Sequence, residues 1–176
     1  MGKSHDLATI AADGLEVDTI KNTSGTSALT IDSNGTVSQP VKPAFHIRYN
    51  TQSGINFSNT TAAGTAYYNS STLEEQGGSN FNISTGQYVV PVTGFYFFNF
   101  TGRFDNVAAS YFYVTLEGSQ TIGRYLSSLQ TTYLAVTVSG AAHLTAGEHI
   151  KVVITSSGDT SVDINADSYF QGFLLG

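Results

Sequence analysis

Short runs of apolar or alternating residues, bounded by Gly, Asn, Asp and Ser, recur along almost the whole 176-residue chain. Alternation with a period of two is typical of β-strands that bury one face, whereas a buried helix face repeats about every 3.6 residues. Helical periodicity is nearly absent, so we predict an all-β protein, built as a two-sheet sandwich of the jelly-roll type. The predicted strands are 44–49, 54–58, 65–69, 87–92, 95–104, 109–117, 121–127, 132–139, 149–155 and 168–175.

The segment GFYFFNFTGRF at residues 94–104 is apolar on both of its predicted faces. Successive side chains of a strand point to opposite sides, so Tyr96 and Phe98 share one face while Phe95 and Phe97 share the other. A strand that covers a single core needs only one apolar face. Two explanations stay open for the second face from the residues alone: burial against another subunit, or a central position beneath a loop or an extra layer.

The low charge of the chain excludes several classes of function. Charged residues make up 11% of the sequence, the net charge is −6, and the seven Lys and Arg residues are scattered singly. No basic face can neutralise phosphates, so we predict no nucleic-acid partner, and an anionic membrane surface would repel the chain. No apolar run approaches the roughly 20 residues of a membrane-spanning helix, so we predict no membrane insertion. The absence of cysteine excludes disulfides, thiolate catalysis and cysteine-bound zinc.

The first 40 residues differ from the rest of the chain, because their strand-like pieces are very short. Isolated hairpins are marginally stable in water, so we expect this segment to be stabilised by other copies of itself or by a partner. The stretch QPVKP, residues 39–43, is typical of a stiff linker. We therefore predict a β-rich N-terminal arm over residues 1–40 and a head over residues 41–176. The turn-forming pairs within the arm are Asp13-Gly14, Ser24-Gly25 and Asn34-Gly35.

The residues that usually carry catalysis are few and dispersed. His143 and His149 flank a short TAG turn, where two surface histidines are the simplest interpretation. The chain has no nucleophile elbow, zinc-binding helix motif or phosphate-binding glycine loop. Glu74 and Glu75 are sequence neighbours in a predicted surface loop over residues 69–86, which we expect to contain a short strand near 81–83. We predict no catalytic residues, no cofactor and no metal site.

Three carboxylates before the last strand, Asp159, Asp163 and Asp167, form an oxygen-rich segment. Calcium prefers such loops, but their spacing is not that of an EF-hand. We interpret them as solvated turn carboxylates, with calcium binding as the alternative.

Four stretches resemble the complement C1q/tumour necrosis factor-like family: FNISTGQYVVPVTGFYFFNF, YFYVTLEG, VSGAAHLTAGEHIKVVI and the C-terminal DSYFQGFLLG. The resemblance covers about residues 42–176 and implies a ten-stranded jelly roll that assembles as a tight trimer. Tyr88 departs from the usual Phe, Gln76 from the common Asn or Asp, and no collagen-like stalk precedes the head. The matching positions are Phe81, Gly86, Tyr88, Pro91, Val92, Gly94, Tyr96, Phe98, Leu144, Gly147, Glu148, Ser168, Phe170, Gly172, Phe173, Leu174 and Leu175.

The resemblance also implies where the second apolar face lies. In the family, the strand with Gly-x-Tyr-x-Phe and the closing strand belong to the inner sheet, which turns one face to the core and the other to the threefold axis. The resemblance thus implies that Tyr96, Phe98 and Phe100 face the core, and a homotrimer is expected. The residues implied to face neighbouring subunits are Phe95, Phe97, Tyr169, Gln171 and Phe173.

Loops near the apex of such heads usually carry recognition, because aromatic and amide side chains make adaptable contacts. Tyr67, Tyr68, Asn69 and the 70–80 loop are the candidates here, and ordinary strand or loop surface is the alternative for each. The arm sequence TIKNTSGTSALTIDSNGTV resembles the β-repeats of bacteriophage tail fibres and other virion proteins. The N-terminus lacks the apolar core of a signal peptide, so we expect the protein to leave a cell as part of a particle.

These observations predict a non-enzymatic, homotrimeric structural protein of a bacteriophage virion. Its head would attach to a host-surface glycan or protein, and residues 1–40 would contact other virion proteins. A capsid decoration protein is the first alternative. A cellular lectin-like or adhesive module is the second, and a jelly-roll hydrolase, which needs converging acidic residues in a cleft, is the third.

Overall fold

The structure, a computed structural model, describes residues 19–21, 23–25, 27–39, 42–57, 60–61, 67–128, 131–157 and 161–175. The chain divides into two compact units, Met1–Val41 and Lys42–Gly176. The described residues form strands, turns and one short 3₁₀ helix, Ser70–Thr72, so the predicted all-β class is confirmed. None of these residues belongs to a helix that is long and apolar enough to cross a membrane.

The described part of the first unit is a small antiparallel sheet. It contains β1 (Thr19–Lys21), β2 (Ser27–Ile31) and β3 (Val37–Ser38), with β2 in the centre. The turn between β2 and β3 is held by the Asp32 side chain, which accepts hydrogen bonds from two backbone N–H groups. Gly25 and Gly35 have positive φ angles of 86° and 80°, as the predicted turns at these positions require. The Asp13-Gly14 pair lies outside the described residues.

The second unit is a sandwich of two mainly antiparallel sheets. The described residues place seven strands in one sheet, and its central strand is β10, which pairs with β13 along one edge and with β16 and β15 along the other. The strands of this sheet are β4 (Ala44–Arg48), β5 (Gln52–Ile55), β7 (Glu74–Gln76), β10 (Gly94–Val107), β13 (Thr131–Leu144), β15 (Val162–Ile164) and β16 (Tyr169–Leu174).

The second sheet has six strands among the described residues, in the order β12-β11-β14-β9-β8, with β6 also paired to β14. This arrangement confirms the predicted jelly-roll sandwich. The strands are β6 (Thr60–Thr61), β8 (Phe81–Asn82), β9 (Gln87–Val89), β11 (Tyr111–Glu117), β12 (Thr121–Ser127) and β14 (His149–Ser157).

The core lies between the two sheets and is strongly aromatic. Tyr96, Phe98 and Phe100 of β10 are fully buried, which confirms the predicted core face of this strand. Phe45 of β4 stacks on Tyr88 with ring centroids 4.4 Å apart, so the two sheets are in direct aromatic contact. Aromatic pairs of this kind contribute about 0.5–1.5 kcal/mol beyond the area that they bury.

Glycines allow close approach at two places in the sandwich. A Cβ atom on Gly172 of β16 would lie 2.4 Å from Cδ1 of Phe98, so a side chain here would displace the core. A Cβ on Gly123 of β12 would lie 2.8 Å from the Ser139 carbonyl oxygen, and one on Gly140 of β13 would meet the backbone of β12 at 2.6 Å. The edge strands β12 and β13 of the two sheets therefore lie against each other.

The segment predicted as a long surface loop, residues 69–86, is more ordered than expected. Its strand β7 pairs with β4 at the edge of the seven-stranded sheet. Glu75 Oε1 accepts hydrogen bonds from the backbone N–H groups of Asn80 and Phe81 at 2.6 and 2.7 Å. These hydrogen bonds hold the segment without a continuous buried apolar face. The sequence therefore shows no apolar alternation here, and this absence led to the loop prediction. The short strand expected near 81–83 is present as β8.

Candidate subunit interface and ligand-binding surfaces

The five predicted interface residues lie together on the outer face of the seven-stranded sheet, opposite the core. Phe97 pairs with Phe173 across β10 and β16, and their ring centroids are 5.5 Å apart. Phe95 and Phe173 are 54% and 41% exposed, so this apolar cluster is not covered by the described part of the chain. Tyr169 and Gln171 follow on the same face of β16, half-buried. The structure brings these side chains together, and their contact with another subunit stays a prediction.

The middle of this face is polar but tightly packed. Asn99 is only 9% exposed, and its Nδ2 donates to the Thr101 hydroxyl at 3.3 Å. Asn99 pairs across the strands with Gln171, whose Oε1 lies 3.2 Å from Nδ1 of His46. The His46 ring in turn packs on Tyr169, with centroids 5.3 Å apart. An interface built on this face would therefore include a layer of amide, hydroxyl and imidazole groups next to the phenylalanines.

The far end of the same face is charged. Arg103 Nε lies 3.2 Å from Asp105 Oδ1, and the Arg103 guanidinium sits 5.3 Å from the ring centre of Tyr133 on β13. Asp167 is a weaker partner of Arg103 at 3.8 Å. Sequence reasoning missed Tyr133, which is 65% exposed, although the alternation of β13 could have placed it on this outer face. The outer face thus changes from apolar to polar to charged along β10.

The predicted recognition residues do not form one exposed surface. Tyr68 is wrong as a ligand contact, because its side chain is fully buried and its hydroxyl lies 3.0 Å from that of Tyr49. Tyr67 is half-buried and packs against the core. Asn69 caps the Ser70–Thr72 helix, where its side chain accepts from the Ser71 N–H. The predicted strand 65–69 is not a strand over its described part, residues 67–69. There Tyr68 forms an isolated β-bridge to Tyr49.

The acidic residues before the last strand have separate structural roles. Asp163 lies in β15, where its two oxygens accept from the Gly54 N–H and from the Asn106 side chain, both at 2.7 Å. Asn106 lies within β10 and has a positive φ of 59°, so this bond holds the side chain of a residue with a strained backbone. Asp167 is exposed, and Asp159 lies outside the described residues. Over the described ranges, no three His, Asp or Glu side chains are close enough to hold a metal ion together.

Glu148 organises the turn between β13 and β14. Its carboxylate accepts hydrogen bonds from the Ser119 hydroxyl and from the Thr145 N–H, the latter at 2.6 Å. The Ser119 hydroxyl and the Thr145 N–H hold the pKa of Glu148 below its ordinary value, and nearby His143 and His149 lower it further. The sequence predicted two surface histidines here, and the structure adds that they flank a hydrogen-bonded carboxylate.

Comparison with known proteins agrees with this geometry. The C1q domain model matches residues 44–175. The globular domain of zebrafish complement 1qA protein has a TM-score of 0.55 at 18% identity, covering 77% of this chain and 98% of that one. Murine APRIL has a TM-score of 0.53 at 18% identity, covering 76% and 98%. A search of curated proteins found no match. C1q and tumour necrosis factor-like domains are typically non-enzymatic homotrimers that bind other proteins. The chain belongs to the C1q domain family.

Proposed function

We propose that this protein is a non-enzymatic homotrimer whose C1q-like head attaches a bacteriophage particle to a host surface. The single observation that carries the trimer is the cluster of exposed Phe95, half-buried Phe97 and exposed Phe173 on the outer face of the seven-stranded sheet. Membership of the C1q domain family supports it, because such domains are typically homotrimeric.

Burial of this cluster has a clear energetic reason. Apolar surface removed from water contributes about 25 cal/mol per Å², and monomeric proteins rarely leave contiguous aromatic patches exposed. In a cyclic trimer the three copies of one face converge on the symmetry axis. The phenylalanines would then pack against each other, while Asn99 and Gln171 would supply hydrogen bonds that select one register.

The particle role rests on the N-terminal unit. The three strands that the structure describes in this unit are short and leave Ile20 and Val37 exposed, which favours stabilisation by other copies or by a partner surface. The resemblance of this segment to the β-repeats of virion proteins supports a particle as that partner.

Replacing both Phe95 and Phe97 with Ser tests the trimer. The wild-type chain is expected to have three times the 18.7 kDa mass of one chain by light scattering after gel filtration. The double variant is expected to be a folded monomer, because the replaced rings lie outside the core. Val89→Ser, which changes an exposed apolar residue on the six-stranded sheet, is the matched control and should keep the wild-type mass. An unchanged mass in the double variant would remove the basis of the trimer.

A further inference from the structure

The six-stranded sheet carries a second exposed cluster that the trimer does not use. It consists of Tyr111 and Tyr113 on β11 and Arg124 and Leu126 on β12, and we call it the tyrosine–arginine patch. Tyr113 pairs with Leu126 across the two strands, and Arg124 pairs with Thr115, which lies on the same side of β11 but is buried. All four side chains therefore project from the sheet face that is opposite the core.

The aromatic part of the patch is a stacked and accessible pair of rings. The rings of Tyr111 and Tyr113 are nearly parallel, with 15° between their planes and 5.8 Å between their centroids. Tyr111 is 43% exposed and Leu126 is 66% exposed. Tyrosine offers a large contact area with few rotatable bonds, so a ring already held by stacking loses little entropy when a ligand binds.

The charged part of the patch is the guanidinium of Arg124, whose N–H donors form no ion pair with the described residues. The Arg124 guanidinium lies 5.6 Å from the ring centre of Tyr113, in a cation–π contact that orients it. The ion pairs formed within the described ranges both belong to Arg103, so Arg124 has none there. In a chain with a net charge of −6, an oriented guanidinium without an acidic partner is suited to a carboxylate brought by a ligand.

We propose that the tyrosine–arginine patch binds a carboxylated saccharide. The apolar face of a sugar ring packs on Tyr111 and Leu126, and its carboxylate pairs with Arg124. This inference deepens the proposed attachment function by naming the chemical class of the ligand, and it rests on that function only for its biological setting.

The geometry favours a saccharide over an acidic peptide. Extended peptides commonly bind by adding a strand to a free sheet edge. Here β11 is paired on both sides, with β12 and β14. The outer side of β12 is also occupied, because Gly123 brings it against the backbone of β13 at Ser139. Binding must therefore use side chains alone, as the stacking of a sugar ring does.

Calorimetric titration of the full-length protein with a galacturonic acid tetrasaccharide tests the site. The matched ligand is the same tetrasaccharide with its carboxylates methyl-esterified, which keeps the rings and removes the charge. We expect the acid form to bind, and the ester to bind about tenfold or more weakly, as loss of one ionic hydrogen-bonded contact predicts.

The protein variants test the two parts of the patch separately. Arg124→Gln should abolish the preference for the acid form, and Tyr111→Ala should weaken the binding of both ligands. Val89→Ala, which changes an exposed apolar residue of the same sheet outside the patch, is the control and should bind like the wild type.

Three results would overturn the proposal: no binding of the acid form, equal binding of acid and ester, or unchanged binding by Arg124→Gln. A glutamate-rich peptide that binds as tightly and is lost in the same variants would also overturn it, in favour of an acidic protein. Circular dichroism of each variant verifies that the fold is kept. Mass in solution is measured on the same samples, so a trimer that fails to bind refutes the site without refuting the trimer.

Discussion

Tyr49 and Tyr68 form a buried hydroxyl pair that links the residue after β4 to the segment before the 3₁₀ helix. Their oxygens are 3.0 Å apart and their rings 4.6 Å apart, inside the core. Burial raises the pKa of both hydroxyls, so the pair stays neutral in ordinary conditions. Tyr88 is also buried, but its hydroxyl finds no hydrogen-bond partner among the described residues.

Removing the hydroxyl group should have opposite effects on stability at Tyr68 and at Tyr88. Tyr68→Phe should lower the free energy of unfolding by about 1–3 kcal/mol, because it leaves the Tyr49 hydroxyl buried without a partner. Tyr88→Phe should be neutral or stabilising, because it removes an unsatisfied group. Urea unfolding at a fixed protein concentration measures both, and the double variant of Tyr49 and Tyr68 to Phe should recover part of the loss. Equal losses in Tyr68→Phe and Tyr88→Phe would contradict this account.

Alternation within β10 was sufficient to separate Tyr96 from Phe97, and the family resemblance then identified the Tyr96 side as the core side. Alternation was not sufficient for Tyr68. Its burial depends on Tyr49, 19 residues earlier in the chain, and no local period connects the two. The Phe95 side of β10 was predicted as a second apolar face. The tyrosine–arginine patch was missed, because its members come from two strands whose register the sequence does not show.

At the scale of elements, Glu148 connects two turns of the sandwich. Its carboxylate bonds Ser119, in the turn between β11 and β12, and Thr145, in the turn between β13 and β14. Gly147 completes the second turn with a φ of +91°. Both oxygens are strong acceptors only in the ionised carboxylate, because protonation turns one of them into a hydroxyl group, so these turns are coupled to pH.

The stabilisation from Glu148 should depend on pH in one direction. Its folded pKa lies below the ordinary value of 4.5, so its contribution is fully present above pH 4.5 and is lost as pH falls through the lowered folded value. The difference in unfolding free energy between wild type and Glu148→Gln is therefore expected to shrink to nothing in acid. Urea unfolding across this range measures it, with Glu74→Gln as the control for removing a surface carboxylate. A difference that persists or grows in acid would show that ionised Glu148 does not hold the turns.

Two short strands, β7 and β15, were not predicted from the sequence, each for a physical reason. β7, with the sequence EEQ, lies at a sheet edge and is defined by backbone pairing with β4 rather than by a buried face. β15 has only three residues and pairs with both β5 and β10. The long strands β10 and β13 were predicted in type, although both extend beyond their predicted ends.

At the scale of the whole molecule, the two outer faces of the sandwich have different chemistry. Along β10, the outer face of the seven-stranded sheet changes from phenylalanine to charged side chains. The outer face of the six-stranded sheet carries the tyrosine–arginine patch. If three heads join through the first face, each trimer holds three copies of the second. Weak single contacts can then combine, because the second and third binding events on one surface are effectively intramolecular.

Separating the two units tests the particle role of the chain. The proposed interface and the tyrosine–arginine patch both lie within Lys42–Gly176, so a fragment of residues 42–176 should keep a mass three times that of its own chain. It should be absent from purified particles, because residues 1–41 are proposed to make the particle contact. Tagged full-length chain, produced in the same infected cells, is the control and should copurify with the particles. Copurification of the fragment would move the contact to the head, and absence of both the fragment and the full-length chain from the particles would remove the virion role.

Electron microscopy of the particles tests where the chain lies. In a map of the particles, density at the end of a tail appendage is expected, whereas density on the capsid would instead favour a decoration protein.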